Sequence, residues 1–146
     1  MNIYTIGFTK KNAECFFELL KENKIDLLLD IRLNNKSQLA GFTKGNDLEY
    51  FLKQICKCDY LHYLWFTPTT DILDNYKAKK ISWQEYETQY NKLIETRKEI
   101  KNFEKQFRKY KNICLLCSEP TPEQCHRRLA AEKLCKDNPN LKLKHL

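Results

Sequence analysis

The sequence has only three glycines in 146 residues and no low-complexity segment, whereas 42% of its residues are hydrophobic and 12% are aromatic. Such a composition excludes a disordered chain, because enough apolar surface is available to offset the entropy lost on ordering. The length suits one domain with an ordinary hydrophobic core. We therefore expect residues 1–146 to form a single domain.

No run of about eighteen apolar residues occurs, so the sequence predicts no transmembrane helix. The first residues, MNIYTIGF, lack the basic stretch followed by an apolar one that marks a secretion signal. The seven cysteines are odd in number and several lie within apolar runs, which does not suit the disulfide framework of a secreted protein. We expect a cytoplasmic protein with reduced thiols and no membrane partner.

Acidic residues are outnumbered by basic ones, and the formal net charge is +7. Most of the positive charge comes from lysine. A positive excess raises the rate of encounter with polyanions, so an anionic small molecule or a nucleic acid is a candidate partner. A sequence rich in lysine and asparagine can also reflect codon usage alone, which makes the charge a weak indicator.

Strand-like apolar runs alternate with segments of helical periodicity along the whole chain. The predicted strands are NIYTIGF, IDLLLDIR, YLHYLW, NICLLCSE and LKLKHL. The predicted helices are NAECFFELLKEN, DLEYFLKQIC, PEQCHRRLAAEKLC, and the segment from SWQEY to FRKY as one long helix or two stacked ones. This alternation indicates an α/β domain of three layers, with a mainly parallel sheet of about five strands between helices.

Ligands bind to such sheets outside the carboxyl ends of the strands, where the strand order reverses. Polar or small residues follow the first, second and fourth predicted strands. They are Gly7 and Thr9, Asp30 and Arg32, and Cys117 and Glu119. One shared pocket requires these strands to be neighbours, which favours the order 3-2-1-4-5 with the switch between the first and fourth strands.

The last predicted helix has the features of a helix start. Thr121 suits the N-cap, Pro122 the first helical position, and Gln124 the third position after the cap. Free backbone N–H groups from Glu123 onward would then face the end of the fourth strand and form an anion site.

Arginine at position 127 falls on the sheet-facing stripe of this helix, whereas Arg128 falls outside it. A buried arginine needs a partner, because an unpaired buried charge is costly. One interpretation is a pair between Arg127 and the carboxylate of Glu119 or Asp30. The other is that Arg127 and Arg32 hold a phosphate or carboxylate ligand.

Cys117, Cys125 and His126 are three potential zinc ligands. No C-x-x-C pair occurs, and on the predicted helix Cys125 lies opposite the sheet-facing stripe, so the sequence predicts no metal and no cofactor. Cys117 is either a small buried hydrophobe or a nucleophile activated by the helix N-terminus. His126 and Glu119 are candidate proton-transfer groups, although His126 can equally be a structural residue on the helix flank.

The runs IYTIGF, DLLLDIR, SWQEYETQY and, most specifically, LLCSEPTPEQCHRRLAAE resemble the family catalogued as domain of unknown function 488. The resemblance extends over nearly the whole chain. It implies the same α/β architecture and the same pocket, but no reaction. The residues it carries over are Gly7, Asp30, Arg32, Cys117, Glu119, Cys125, His126 and Arg127. Phe8 stands where the family often has a histidine, so no role is expected from that position.

Two hypotheses follow for the function. The first is an enzyme whose anion-binding pocket holds a nucleotide or part of a nucleic acid, with Cys117, Glu119 and His126 as its chemical groups. The alternative is a non-catalytic module that binds nucleic acid or protein. The two differ in that only an enzyme needs a group with a perturbed pKa in the pocket.

Overall fold

Five strands and six α-helices alternate along the chain. The structure is a computed structural model, and it describes residues 1–146. The strands are β1 (Asn2–Gly7), β2 (Leu27–Asp30), β3 (Asp59–His62), β4 (Asn112–Cys117) and β5 (Lys142–His145). The helices are α1 (Ala13–Glu22), α2 (Gly45–Phe51), α3 (Thr70–Lys77), α4 (Trp83–Arg97), α5 (Glu99–Gln106) and α6 (His126–Asp137). None of these helices has the length and hydropathy needed to cross a membrane.

All five strands are parallel, and their order in the sheet is β3-β2-β4-β1-β5. The predicted α/β class is confirmed. The predicted order 3-2-1-4-5 is wrong, because β4 lies between β2 and β1 rather than beyond β1. The three strands that carry the candidate residues are nevertheless neighbours. Gly7 pairs with Cys117 and Asp30 pairs with Leu116, so the carboxyl ends of β1, β2 and β4 meet at one edge.

Helices pack against both faces of the sheet. In β4, Ile113 and Leu115 belong to a core with residues of α4, α5 and α6. Cys114 and Leu116 belong to a second core with residues of α1 and α2. This alternation is the two-residue period of a strand that is buried on both faces, as its uninterrupted apolar sequence predicts. The segment that was predicted as one helix or two is two helices, separated at Lys98, whose φ is 59°.

The short helix α3 lies in a segment for which the sequence pattern predicted no helix. Thr69 caps it by accepting a hydrogen bond from the backbone N–H of Ile72 at 3.3 Å. No residue of α3 is fully buried. Its apolar residues Ile72, Leu73 and Tyr76 fall on one face, but the helix has only eight residues, so the periodic stretch is short.

The last helix, α6, begins at His126 rather than at Pro122, and Cys125 rather than Thr121 is its N-cap. Residues 118–125 form a loop, called the 118–125 loop below. Two hydrogen bonds hold the start of this loop in place: the backbone N–H of Thr9 donates to the Ser118 carbonyl at 3.1 Å, and the guanidinium of Arg127 donates to the Glu119 carbonyl at 2.6 Å. These tertiary contacts outweigh the local helix-start pattern of the sequence.

Candidate functional site

A pocket of about 710 Å³ opens at the carboxyl ends of β1, β2 and β4. Its floor includes Cys117, at the end of the central strand. Aromatic residues of α3 and α4 form one wall, namely Tyr76, Trp83 and Tyr86. Lys10, Lys11 and Lys77 also line the pocket, so it combines an aromatic wall with positive charge.

Six of the nine predicted site residues line this pocket: Thr9, Arg32, Cys117, Glu119, Cys125 and His126. The other three, Gly7, Asp30 and Arg127, are buried behind it. The sequence therefore predicted the edge of the sheet at which these residues gather. The contacts described below separate the residues that face the pocket from those that support it.

Asp30 and Arg32 form a buried bidentate ion pair. Nε of Arg32 donates to Oδ1 of Asp30 at 2.8 Å, and Nη2 donates to Oδ2 at 2.6 Å. Nη2 also donates to the Thr43 carbonyl at 2.7 Å, and the hydroxyl of Tyr60 donates to Asp30 at 2.8 Å. Because most of its donors are already used, Arg32 holds the loop after β2 rather than clamping a ligand. The partner of Asp30 is Arg32, and not Arg127 as one sequence interpretation had it.

Arg127 is fully buried, which confirms its predicted position on the sheet-facing stripe of α6. Its Nη1 donates to the backbone carbonyl of Glu119 at 2.6 Å, whereas its Nε and Nη2 make no hydrogen bond. The carboxylate pair, one of the two interpretations of Arg127, is therefore not formed, because the contact is with the main chain of Glu119 and not with its side chain. Arg128 lies outside the stripe and forms ion pairs with Glu87 and Glu132.

Gly7 lies against the main chain of the 118–125 loop. A Cβ atom at this position would lie 1.7 Å from the Glu119 carbonyl oxygen and 3.0 Å from Nη1 of Arg127. Only a residue without a side chain permits this approach. Gly7 therefore positions the loop, and the contact leaves no room for an anion beside it.

The sulfur atoms of Cys117 and Cys125 lie within 4.8 Å of each other. A hydrogen bond from the Cys125 thiol lowers the pKa of the Cys117 thiol, and the Ser118 N–H and the charge of Arg127 act in the same direction, against the effect of burial. The same hydrogen bond raises the pKa of Cys125. The predicted outward direction of Cys125 is wrong, because the residue precedes α6 in an extended conformation instead of lying on the helix.

His126 is oriented by a main-chain contact. Its Nε2 lies 2.8 Å from the Ile31 carbonyl, and since a carbonyl only accepts, Nε2 carries the proton. Nδ1 lies 3.4 Å from the hydroxyl of Tyr86. Sγ of Cys117 is 3.7 Å from both ring nitrogens, which is within the distance of a weak sulfur hydrogen bond. Cys117 therefore has both the imidazole of His126 and the thiol of Cys125 as neighbours.

The ligand atoms of Cys117, Cys125 and His126 all lie within 4.8 Å of one another, a distance compatible with a metal site. Nε2 of His126 is bonded to the Ile31 carbonyl, which leaves Nδ1 as the nitrogen that a metal would use. The donor set has three members, one fewer than the four ligands of a closed structural zinc site.

We expect purified protein to contain no stoichiometric zinc. Elemental analysis of protein purified under reducing conditions, without chelator, is the measurement. About one zinc per chain, lost in Cys117→Ser and Cys125→Ser but retained in Cys135→Ser, would contradict this expectation and identify a metal centre. The Cys135→Ser control matters because Cys135 belongs to the same helix but is not part of the cluster.

The sequence interpretation missed the aromatic wall. The segment from SWQEY to FRKY was predicted as helix, and Tyr86, Tyr90 and Phe103 of this segment are buried in the core. Trp83 is only partly buried and lines the pocket together with Tyr76, which belongs to the unpredicted helix α3. The Pro–Thr–Thr–Asp stretch at the start of α3 is the signal that could have revealed this helix, because threonine favours the N-cap position.

The fold and the site together define an α/β protein with a thiol-containing pocket at the carboxyl ends of a parallel sheet. The chain matches the family described as "Domain of unknown function DUF488" over residues 12–134, and it belongs to this family. The match covers β2, β4 and most of α6, and so includes Cys117, Cys125 and His126. Comparison with curated proteins and with solved structures found no match.

Proposed function

We propose that the protein is an enzyme that binds an anionic, nucleotide-like substrate in this pocket and attacks it with the thiolate of Cys117. The observation that carries the proposal is that Cys117, whose thiol pKa is lowered by the hydrogen bond from Cys125, lines a pocket that also contains lysines and aromatic rings. A thiolate is the reactive form of cysteine, and a perturbed pKa in a pocket favours an enzyme over a simple binding module.

Main-chain N–H groups beside Cys117 support binding of an anionic group. Those of Glu119 and of His126, the first residue of α6, donate to no backbone carbonyl, and both residues line the pocket. The positive end of the helix dipole lies at the same place. Such a set of donors suits a phosphate, and Lys10, Lys11 and Lys77 add attraction for a negative charge at longer range.

The aromatic wall supports a planar group on the same substrate. Trp83 stacks on Tyr86, with ring centroids 5.1 Å apart and an interplanar angle of 19°. The ring centroid of Tyr76 is also 5.1 Å from that of Tyr86. Stacking of a base on an aromatic side chain contributes about 1–3 kcal/mol. A phosphate site and a stacking wall in one pocket favour a nucleotide over inorganic phosphate. The pocket volume is that of a small-molecule site.

Glu119 and His126 are the proposed proton-transfer groups. The side chain of Glu119 is exposed and lines the pocket, so it can approach a leaving group. Nε2 of His126 is bonded to the Ile31 carbonyl, so Nδ1, which lies 3.4 Å from the Tyr86 hydroxyl, is the nitrogen that would exchange a proton with the substrate. In the proposed step the sulfur bonds to the electrophilic atom, and the leaving group departs with a proton from one of these two residues.

The test is site-by-site alkylation with iodoacetamide as a function of pH. Cys117 should react at lower pH than Cys56, because burial raises the pKa of Cys56 to about 11. Adenosine and guanosine monophosphates should protect Cys117 and leave Cys56 unaffected. Ribose 5-phosphate, which lacks the base, should protect less. Mass spectrometry of peptide 112–127 reports the modification.

Two outcomes would overturn the proposal. If Cys117 titrates like an ordinary thiol while nucleotides still protect it, the pocket belongs to a non-catalytic binding module. If none of these compounds protects Cys117, the substrate is not a nucleotide. A Trp65→Phe variant gives an independent measurement, because Trp83 is then the only tryptophan and its fluorescence reports on the aromatic wall.

A further inference from the structure

The two thiols in the pocket can do more than serve one nucleophile. We propose that Cys117 and Cys125 form a site of reversible oxidation, in which a hydroperoxide converts the pair into a disulfide. The inference deepens the proposed function, since its consequence for activity rests on Cys117 being the reactive group. The oxidation itself requires no substrate and is tested without one.

The sulfur atoms of Cys117 and Cys125 lie within 4.8 Å of each other. A disulfide bond is about 2.05 Å long, so the sulfurs need to approach by less than about 3 Å. Cys117 is fixed in the centre of the sheet, between β1 and β2. Cys125 is the last residue of the 118–125 loop and is extended, with φ −141° and ψ 135°. The loop can supply the movement while the strand stays in register.

The pocket gives a small oxidant access to both sulfurs. Cys117 and Cys125 are only 5% and 2% exposed, yet both line the pocket. Cys114, the nearest cysteine in sequence to Cys117, belongs to the core on the opposite side of the sheet, with α1 and α2. Cys15 and Cys135 lie on helices α1 and α6, away from the pocket lining. Cys125 is therefore the one thiol placed to react with an oxidised Cys117.

Oxidation to the disulfide takes two steps, in which Cys117 reacts with the oxidant and Cys125 reacts with the oxidised Cys117. Sγ of Cys117 attacks one oxygen of the hydroperoxide R–O–O–H, the O–O bond breaks, and R–OH leaves with the thiol proton. Cys117 is thereby oxidised to a sulfenic acid, S–OH. Sγ of Cys125 then attacks Sγ of Cys117 and displaces the hydroxyl group, which leaves as water with the proton of Cys125. In total, two thiols and one hydroperoxide give one disulfide, one alcohol and one water.

The consequence is a pocket whose nucleophile is blocked but not destroyed. A disulfide cannot attack a substrate, whereas a dithiol reductant regenerates both thiols. The second thiol also protects the first, because a sulfenic acid without a thiol neighbour is oxidised further to the irreversible sulfinic acid. Cys125 thus has a role that the hydrogen bond to Cys117 alone does not account for.

The experiment treats the reduced full-length protein with hydrogen peroxide, blocks the remaining thiols with N-ethylmaleimide under denaturing conditions, and maps the peptides. Trypsin releases peptide 112–127, which contains Cys114, Cys117 and Cys125. A second cut after Glu123 separates Cys125 from the other two. We expect fragments 112–123 and 124–127 to remain joined, Cys114 to carry the blocking group, and dithiothreitol to restore two thiols per chain.

Cys125→Ser is the informative variant and Cys135→Ser is the matched control. In Cys125→Ser, dimedone should trap a sulfenic acid at Cys117, and excess peroxide should drive it to sulfinic acid. Cys135→Ser should form the disulfide as the unaltered protein does. The inference is overturned if Cys117 keeps its thiol under peroxide, or if the unaltered protein accumulates as much sulfinic acid as Cys125→Ser. If the disulfide forms but nucleotides do not protect Cys117 from alkylation, the proposed substrate is wrong and the inference about oxidation still holds.

Discussion

The substitution Asp30→Ala is expected to lower the free energy of unfolding by about 3–5 kcal/mol, because it leaves Arg32 buried without its counter-ion. The ion pair is almost inaccessible to solvent, with side-chain exposures of 3% for Arg32 and 0% for Asp30. The substitution also removes the acceptor for the hydroxyl of Tyr60. Domains of this size are stable by only about 5–15 kcal/mol, so chemical denaturation should show a large fall.

A matched control is Glu18→Ala, which removes one partner of the exposed ion pair between Lys21 and Glu18. That pair is 2.8 Å long, close to the 2.6 Å of the buried one, but its side chains are 44% and 49% exposed. Exposed pairs contribute less than about 1 kcal/mol. Equal effects of the two substitutions would contradict the account. The double variant Asp30→Ala with Arg32→Met should be more stable than Asp30→Ala alone, because no unpaired charge remains.

The second large effect is expected from Gly7→Ala. The added methyl group would overlap the main chain of Glu119, at 1.7 Å from its oxygen and 2.8 Å from its carbonyl carbon. Backbone atoms cannot turn away as a flexible side chain can, so the 118–125 loop must move. We expect a loss of about 1–3 kcal/mol of stability. We also expect slower alkylation of Cys117, because Ser118 and Cys125, which stabilise its thiolate, belong to the displaced loop.

Gly41→Ala is the control for this substitution, because a Cβ atom at position 41 has no neighbour within 4 Å. Thermal or chemical denaturation compares the stabilities, and iodoacetamide reactivity compares the sites. The account fails if Gly7→Ala matches Gly41→Ala in both measurements. A loss of stability without any change in Cys117 reactivity would show that the methyl group is accommodated away from the thiol.

The fold could be predicted from the sequence to the level of class, but not of strand order. Five apolar runs of strand length alternate with helical segments, and this alternation is enough for a parallel sheet between helices. Both β1 and β4 are short, apolar and buried, so nothing local says which of them lies beside β2. The order is decided by how the connections cross the two faces of the sheet. That depends on the whole chain.

For the site, the sequence predicted where the residues lie but not which groups they contact. Gly7, Asp30 and Cys117 could be placed at one edge of the sheet, because the carboxyl ends of parallel strands meet there. Their partners could not be predicted. The sequence left open whether Arg127 pairs with a carboxylate or holds a ligand, and in the structure it donates to a backbone carbonyl, while the carboxylate of Asp30 binds Arg32. The choice depends on the tertiary arrangement of the loops, which no spacing in the sequence encodes.

The sequence by itself determined the α/β class, the edge of the sheet at which the polar residues gather, and the burial of Arg127. Each of these follows from apolar periodicity, which reports which face of a strand or helix leaves water. Only the tertiary structure decided the strand order, the start of α6 at His126, and the contact between Cys117 and Cys125. The strand order depends on how the connections cross the sheet. The start of α6 and the position of Cys125 depend on long-range contacts to the 118–125 loop, such as the close approach of Glu119 to Gly7, which outweigh the local helix-start pattern of Thr121 and Pro122.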